Sequence, residues 1–312
     1  MRFKFYLISS VFALLSICPV YGQISGGKDM FPFSRINRDA RHAAMGFAGK
    51  ADSQSTAWSA FSNSASLPFY DGTLQVKTLY QSWASKDLGG SFYGGGVSVK
   101  IGKNFGLGLA GVYQGWNSYE TFNEANVPTG TVKPYDCQAG IGIGYRFLKK
   151  YSAGVNVKYF RSEYGQYNEY SNFAADIFLM GQFGDFGVTA GVSNLGGKVK
   201  SYSGEKFSIP ASASAALTYS KNMLSFLSVT GSLDIDCYFS GNINAAIGAE
   251  IGLYDILFIR GGYHYGTHKA VLPSFGTVGL GLEYFGFSLE GAIILGNDII
   301  GNAITASLGY KF

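Results

Sequence analysis

Apolar and polar residues alternate with a period of two along most of the chain. The stretch "INAAIGAEIGL" at 243–253 places isoleucine, alanine and leucine on one face and asparagine, small residues and glutamate on the other. The final stretch, "AITASLGYKF" at 303–312, alternates in the same way as far as Phe312. This pattern is typical of β-strands that have one apolar and one polar face.

From residue 72 onward, the chain divides into about fourteen such segments, separated by residues typical of turns. The predicted strands cover 72–84, 89–102, 104–116, 132–147, 150–163, 170–184, 185–197, 207–220, 223–238, 241–253, 255–265, 271–284, 286–296 and 300–312. Connections after even-numbered segments are tight, whereas several after odd-numbered ones are long, among them 117–131 and 195–206. We therefore predict an all-β fold, a transmembrane antiparallel β-barrel of about fourteen strands with its short turns at the periplasmic end.

Composition indicates which face of the strands points outward. The polar faces consist largely of glycine, serine and other small residues, which suit a lumen better than the surface of a soluble sheet. The chain has 44 glycines and 16% aromatic but only 14% charged residues. No apolar run after the N-terminal stretch approaches the about 18 to 20 residues of a membrane-spanning helix. A secreted, soluble β-sandwich is the alternative that the length allows.

The first residues have the features of an export signal. Arg2 and Lys4 precede the apolar run "FYLISSVFALLSI", which is followed by Val20-Tyr21-Gly22 before Gln23. This order predicts a cleaved secretory signal peptide over residues 1–22, and with the barrel it predicts an outer-membrane location.

Residues 23–71 do not alternate as strands do. They are rich in small residues and have a short helical pattern around 38–46. A segment of this kind before the first strand is most simply a plug inside the barrel. The predicted organisation is therefore a signal peptide (1–22), an N-terminal periplasmic or plug segment (23–71) and a barrel (72–312).

The last strand should close the barrel against the first strand, so that no strand edge is left open. Tyr310 and Phe312 lie on its apolar face. A terminal aromatic of this kind resembles the C-terminal signal that the barrel-assembly machinery recognises. We therefore expect that machinery, together with outer-membrane lipid, among the partners of this chain.

One part of the plug segment resembles a known family. The stretches "DAR" at 39–41, "AMG" at 44–46, "AG" at 48–49 and "AFSNSASL" at 60–67 resemble the N-terminal signature of the PorV/PorQ family of Bacteroidetes, within the FadL-like barrels. This chain has Asn-Ser-Ala at 63–65 where the family typically has Asn-Pro-Ala. The FadL-like group has roughly fourteen strands and an N-terminal plug, which matches the strand count.

The resemblance implies a function. PorV-like barrels are non-enzymatic, partner-binding components of type IX protein secretion and surface-attachment complexes, so other outer-membrane or surface proteins are expected as partners. FadL-like barrels instead pass small hydrophobic molecules through the lumen and sideways into the membrane. An accessory barrel of another outer-membrane assembly complex is a further alternative.

Charged residues on the inward faces admit two interpretations. They could select a solute, or they could form ion pairs that hold the plug, and we favour the second because charges inside a barrel need partners or water. The predicted pairing set is Arg35, Arg38 and Arg41 of the plug with Asp234, Asp236, Glu250, Glu283 and Glu290 of the wall.

The long loops carry aromatic residues for which two roles are open. Either they bind a protein partner, or they pack on one another and cover the barrel mouth. The candidates are Tyr119, Phe122, Tyr164, Tyr167 and Tyr202.

The sequence gives no indication of an enzyme, a cofactor, a metal site or a nucleic-acid interface. The three histidines are scattered, and no spacing ties them to a nucleophile and an acid. The net charge of +4 is spread along the chain without a basic run. The glycine-rich stretches at 106–111 and 279–286 belong to strands and precede no helix, so they are not phosphate loops.

Overall fold

Fourteen long antiparallel strands close into a barrel, which confirms the predicted fold class. The computed structural model describes residues 29–83, 90–165, 168–201, 204–267, 272–296 and 302–312, so the predicted signal peptide lies outside the described residues. The strands in chain order are β1 (Leu74–Trp83), β2 (Gly90–Ile101), β3 (Phe105–Trp116), β4 (Tyr119–Phe122), β5 (Pro128–Val132), β6 (Tyr135–Leu148), β7 (Tyr151–Glu163), β8 (Glu169–Phe183), β9 (Phe186–Gly196), β10 (Val199–Lys200), β11 (Lys206–Phe207), β12 (Ser212–Leu224), β13 (Leu227–Tyr238), β14 (Ile243–Leu253), β15 (Leu257–Gly266), β16 (Phe275–Tyr284), β17 (Phe287–Leu295) and β18 (Ala303–Lys311). The short pairs β4–β5 and β10–β11 are hairpins outside the barrel wall.

The apolar face of each strand points outward. In β14, Ile247 is 59% exposed, whereas Glu250 on the opposite face is 4% exposed. A soluble sandwich would bury the isoleucines and expose the glutamate, so the observed arrangement excludes that alternative. The outer surface is an aliphatic band, and the polar, glycine-rich faces enclose the lumen.

The first and last strands close the barrel. β1 pairs with β18 from Gln75–Lys311 to Ser82–Ile304. Beyond the paired strands, the Thr73 amide donates to the Phe312 carbonyl at 2.7 Å. Pairing therefore continues to the last residue, and no edge of this sheet is left unpaired.

One turn differs from its prediction. The predicted strands 207–220 and 223–238 imply a turn at 220–222. In the structure, β12 ends at Leu224 and the turn to β13 is at 225–226. Lys221 pairs with Val229 of β13, and the register is irregular between Asn222 and Leu224. These polar residues are exposed at the short-turn end of the barrel, where turn-forming residue types are tolerated in a strand.

Residues 29–71 run through the lumen from one end to the other. The Met30 amide donates to the Ser208 carbonyl at 2.8 Å at the long-loop end, and the segment reaches β1 at the short-turn end. It contains one short α-helix, α1 (Ala40–Ala44), and three 3-10 helices, at Pro32–Arg35, Ser59–Phe61 and Ser64–Phe69. No helix in the described ranges is long and apolar enough to cross a membrane.

Inward glycines let the wall contact the plug backbone. A Cβ atom added at Gly144 would lie 2.1 Å from the Ser64 carbonyl oxygen, and one at Gly262 would lie 2.1 Å from the Met45 carbonyl carbon. Both distances are far inside van der Waals contact, so any larger residue would push the plug away from the wall. The glycine-rich inner faces are thus shaped to hold this segment.

Candidate functional site

A closed ring of buried ion pairs joins the plug to the barrel wall. Acidic and basic side chains alternate around it, and the nitrogen–oxygen distances range from 2.5 to 3.6 Å. The members in order around the ring are Arg41, Asp52, His42, Asp39, Lys77, Glu290, Arg260 and Glu250. We call this set the charge ring.

The plug and the wall each supply half of the charge ring. Asp39 caps α1 by accepting from the Arg41 amide, which fixes the start of the helix that carries Arg41 and His42. On the wall, Glu250 of β14 lies directly opposite Arg260 of β15 in the register. The other two wall members, one from β1 and one from β17, meet because the barrel closes.

Protonation of His42 balances the charge ring. With His42 charged, four cations face four carboxylates, whereas a neutral imidazole leaves one negative charge in excess. Burial alone would lower the pKa of His42, but Asp39 and Asp52 together outweigh burial and raise it. Burial likewise opposes ionisation of Asp52, yet Arg41 and His42 hold the pKa of that carboxyl well below its usual range.

Three of the five predicted acidic residues contact the plug. Glu250 contacts Arg41 at 2.8 Å, and Asp234 accepts from the backbone amides of Gly49 and Lys50 at 3.1 and 3.0 Å. Asp236 forms an ion pair with the Lys50 side chain.

The predicted pairing of the acids with plug arginines is correct for Glu250 alone. Asp234 and Asp236 contact the plug at Gly49 and Lys50 instead, and the other two acids do not contact a plug arginine. Glu290 pairs with Lys77 and Arg260, both of which belong to the wall. Glu283 pairs with Lys311 at the short-turn end of the barrel. Strand alternation places Glu283 on the inward face of β16. It lies one position from the end of that strand, however, beyond the reach of the plug arginines.

Arg35 and Arg38 also differ from the expected pairing with the wall. Arg35 pairs with Asp29 of the plug itself, and its guanidinium lies 3.9 Å from the centre of the Tyr238 ring. Arg38 donates to the Phe33 carbonyl at 2.7 Å and to the side chain of Gln81 at 3.2 Å. Of the three predicted arginines, Arg41 is thus the one that pairs with an acid of the wall.

Several ionic contacts of the structure are not predicted from the sequence. One is made by Lys77 of β1, whose side chain is buried. Another is the buried pair of Lys158 and Asp176, in which the ammonium nitrogen lies 2.6 Å from a carboxylate oxygen. Their signal was available, because each is a charged residue at an inward position. Asn194 lies at a bulge of β9 with φ of 56°. Its backbone N–H donates to Asp176 at 2.7 Å, and its side-chain oxygen accepts from Lys158 at 3.1 Å.

Near the long-loop end, the lumen contains a cluster of apolar side chains beside the buried ion pair of Arg35 and Asp29. Inward side chains of the wall surround aromatic side chains of the plug, and Phe31 stacks on Phe160 at 5.4 Å between ring centres. The wall members are Leu79, Phe92, Val112, Phe160, Phe275 and Ile294, and the plug members are Phe31, Phe33, Ile36 and Phe47. We call this set the apolar chamber. Phe31, 1% exposed, adopts a left-handed backbone with φ of 58°.

Three of the predicted loop aromatics lie in the described residues, and they differ in exposure although the Tyr119 hydroxyl donates to the Tyr164 carbonyl. Tyr119 and Phe122 lie on the β4–β5 hairpin and are 46% and 51% exposed. Tyr164 instead turns inward, and its hydroxyl donates to Asp136 at 2.7 Å. Tyr167 and Tyr202 lie outside the described residues.

The two C-terminal aromatics lie on the outer surface. The ring of Tyr310 is 4.6 Å from that of Phe287 and 4.3 Å from that of Phe312, centre to centre. In the described ranges, no group of three or more histidine, cysteine or acidic residues is arranged to hold a metal ion.

The fold and the site define the class of this protein, a fourteen-stranded barrel whose lumen is filled by an N-terminal plug. Its backbone is similar to that of the toluene transporter TodX of Pseudomonas putida, with a TM-score of 0.59 and 14% identity over 92% of this chain and 99% of that one. The toluene transporter TbuX of Ralstonia pickettii gives 0.60 and 12% over 91% and 98%. A FadL homologue of Pseudomonas aeruginosa gives 0.52 and 12% over 88% and 98%.

At this level of identity the likeness establishes a FadL-type fold and nothing finer. No family model matches the chain, and no curated protein matches its sequence. The solved structures therefore agree with the FadL-like part of the resemblance seen in the sequence. None of these comparisons supports the PorV/PorQ part, the type IX role or an origin in Bacteroidetes.

Proposed function

We propose that this protein is an outer-membrane barrel that admits small hydrophobic molecules, and that residues 29–71 close it in the resting state. The observation that carries the proposal is the apolar chamber, because its wall side chains would form an apolar pocket suited to a hydrophobic ligand once the plug aromatics leave it. The aliphatic outer band supports a membrane location. The fold shared with two toluene transporters supports the choice of ligand class.

In this proposal, the plug residues Phe31 and Phe33 occupy the place of the ligand. Both rings pack against Phe160, so a small aromatic molecule that arrives from the long-loop end would make the same contacts. The left-handed backbone of Phe31 costs roughly 1–2 kcal/mol for an L-residue, and displacement would release it. Displacement of residues 29–36 would open the chamber while the charge ring holds the rest of the plug.

Uptake of toluene by cells that lack other hydrocarbon channels would test this function. The chamber variant Phe160→Asp places a charge against the plug aromatics and should abolish uptake. The matched control is Phe122→Asp, since Phe122 is exposed on the β4–β5 hairpin. Equal uptake by both variants, at equal amounts of folded barrel, would contradict the proposal.

A partner-binding role of the PorV/PorQ type is the second candidate, and the exposed aromatics of the β4–β5 hairpin favour it. In this case, other outer-membrane or surface proteins would co-purify in mild detergent. Deletion of residues 119–132 should release them without affecting toluene uptake. The barrel-assembly machinery would act on either kind of barrel through Tyr310 and Phe312, and deletion of Phe312 should lower the amount of folded barrel.

A further inference from the structure

A second site lies between the plug and the wall. It borders the charge ring at Asp39 and His42 and the apolar chamber at Ile36 and Phe47. It is an internal cavity of about 100 Å³, bounded by the plug and by inward residues of β6, β7, β9 and β12 to β15. By the usual allowance for a buried water, this volume is enough for several waters or for one small organic ligand.

Positive charge prevails in the cavity lining. Four lysine and arginine side chains line it, against two carboxylates. Both carboxylates already have partners, because Asp39 pairs with Lys77 and His42, and Asp236 pairs with Lys50. The cations are Arg35, Arg38, Lys50 and Lys158.

The lining also holds buried donors that no protein group accepts. Arg35 has its Nε and Nη1 atoms unpartnered, and Arg38 and Trp58 have one unpartnered nitrogen each. All three side chains are more than nine-tenths buried. The same lining has one unpartnered amide oxygen, that of Asn244, so the four N–H groups still outnumber it. Buried donors are rarely left without an acceptor, and this excess of N–H groups calls for a molecule that supplies oxygen atoms.

Arg38 is the lining residue whose positive charge is least compensated by the protein. Among the described cations of the plug, it alone has no carboxylate within ion-pair distance; its hydrogen bonds go to a neutral amide and a carbonyl. Its guanidinium also lies 3.8 Å from the centre of the Phe92 ring, which stabilises the charge only in part. Burial lowers the pKa of Arg38 to about 9, and Asp136 opposes this effect from farther away.

We propose that the cavity is a binding site for a small carboxylate, held by Arg38 with the free N–H groups of Arg35 and Trp58. The ligand supplies the acceptor oxygens and the negative charge that the lining lacks. The site borders the apolar chamber but differs from it in polarity, because the aromatic and aliphatic side chains of the chamber carry no hydrogen-bond donor. A carboxylate and a neutral hydrophobic molecule are therefore expected to bind at different places.

Acetate and its uncharged isostere acetamide are suitable probes for the purified full-length barrel in detergent, in buffer free of other carboxylates. Calorimetry or a shift in thermal unfolding should show saturable binding of acetate. Acetamide should bind at least 10-fold more weakly, because it lacks the charge that Arg38 requires. No saturable binding of acetate, or equal binding of the two probes, would mean that water fills the cavity and would overturn the proposal.

Two variants separate the role of Arg38 from a loss of folding. Arg38→Gln should weaken acetate binding at least 10-fold, whereas Arg38→Lys, which keeps the charge, should weaken it less. Arg146→Gln is the control, because Arg146 lies near a short turn and bonds there to the Lys103 carbonyl. Heat-modifiable migration on gels verifies that each barrel is folded. Acetate binding by Arg38→Gln at the parent affinity would refute the assignment. Loss of both acetate binding and toluene uptake in the Arg38→Lys variant would also refute it, because the two ligands would then share one site.

Discussion

The plug is held in the two halves of the lumen by different forces. Toward the long-loop end, the apolar chamber holds it by packing of aromatic and aliphatic side chains. Toward the short-turn end, the charge ring holds it by directional ion pairs. Packing is tolerant of exchange, because one apolar group can replace another, whereas a buried ion pair that loses one member leaves an unpaired charge. The comparison predicts a plug that can open at one end while it stays anchored at the other.

The largest effect should come from breaking the charge ring at Glu250. The variant Glu250→Gln leaves Arg41 without its wall partner and Arg260 with only Glu290, and removal of one member of a buried pair costs roughly 3–5 kcal/mol. We expect protease sensitivity around residues 39–52 and a rise in ion conductance across planar bilayers. The barrel itself should still fold, because its hydrogen-bonded wall is unchanged.

Glu283→Gln is the matched control for this prediction. Its partner Lys311 is partly exposed at the short-turn end, where a single ion pair contributes about 0–1 kcal/mol. Among the plug arginines, Arg41→Gln should reproduce the Glu250 variant, whereas Arg35→Gln should not. Equal conductance of the Glu250 and Glu283 variants would show that packing, and not the charge ring, anchors this half of the plug.

A smaller and more local effect is expected in the apolar chamber. Phe31→Ala removes a fully buried ring, at a cost of about 3 kcal/mol. Hydrogen exchange should rise over residues 29–36 and stay slow over 39–52. Faster exchange in both ranges would mean that the two halves move as one unit, which would contradict the comparison.

The sequence predicted the wall better than the contacts inside it. Strand alternation alone indicates that Glu250 points inward, since period two is a local property. It does not indicate that Glu250 meets Arg260 and Arg41, because register and the path of the plug are set by contacts between distant parts of the chain. Lys77 shows the same limit, since its pairing with Glu290 exists only because β1 and β18 close the barrel.

The two arginines that were assigned wrongly show a further limit. Arg35, Arg38 and Arg41 lie within seven residues, and the sequence assigns all three to the acids of the wall. In the structure, a 3-10 helix and then α1 turn the three side chains in different directions, so that only Arg41 reaches Glu250. Charge count alone could not separate them, because side-chain direction follows from local backbone geometry.

The smallest effect, and the one that best separates the two halves, is a pH dependence confined to the charge ring. Since Asp39 and Asp52 raise the pKa of His42 above its ordinary 6.5, protonation of His42 favours the bound plug. That contribution is complete below pH 6.5 and is lost as pH rises through the higher pKa in the folded state. In the apolar chamber, His264 lies against Phe47 and Phe275. Phe31 and Phe33 pack instead on Phe160, away from that histidine, so the packing of residues 29–36 should not respond to pH in this way.

Protease sensitivity around residues 39–52 should therefore increase between pH 6 and pH 9, whereas hydrogen exchange over 29–36, corrected for its intrinsic pH dependence, should not. The variant His42→Gln should abolish the pH response, because no titrating group would balance Asp39 and Asp52. Arg41 also faces His42, but it stays charged throughout this range because its two acidic partners raise its pKa further. A parent protein whose sensitivity is constant with pH would show that His42 keeps one protonation state, and that the charge ring holds the plug without a titrating member.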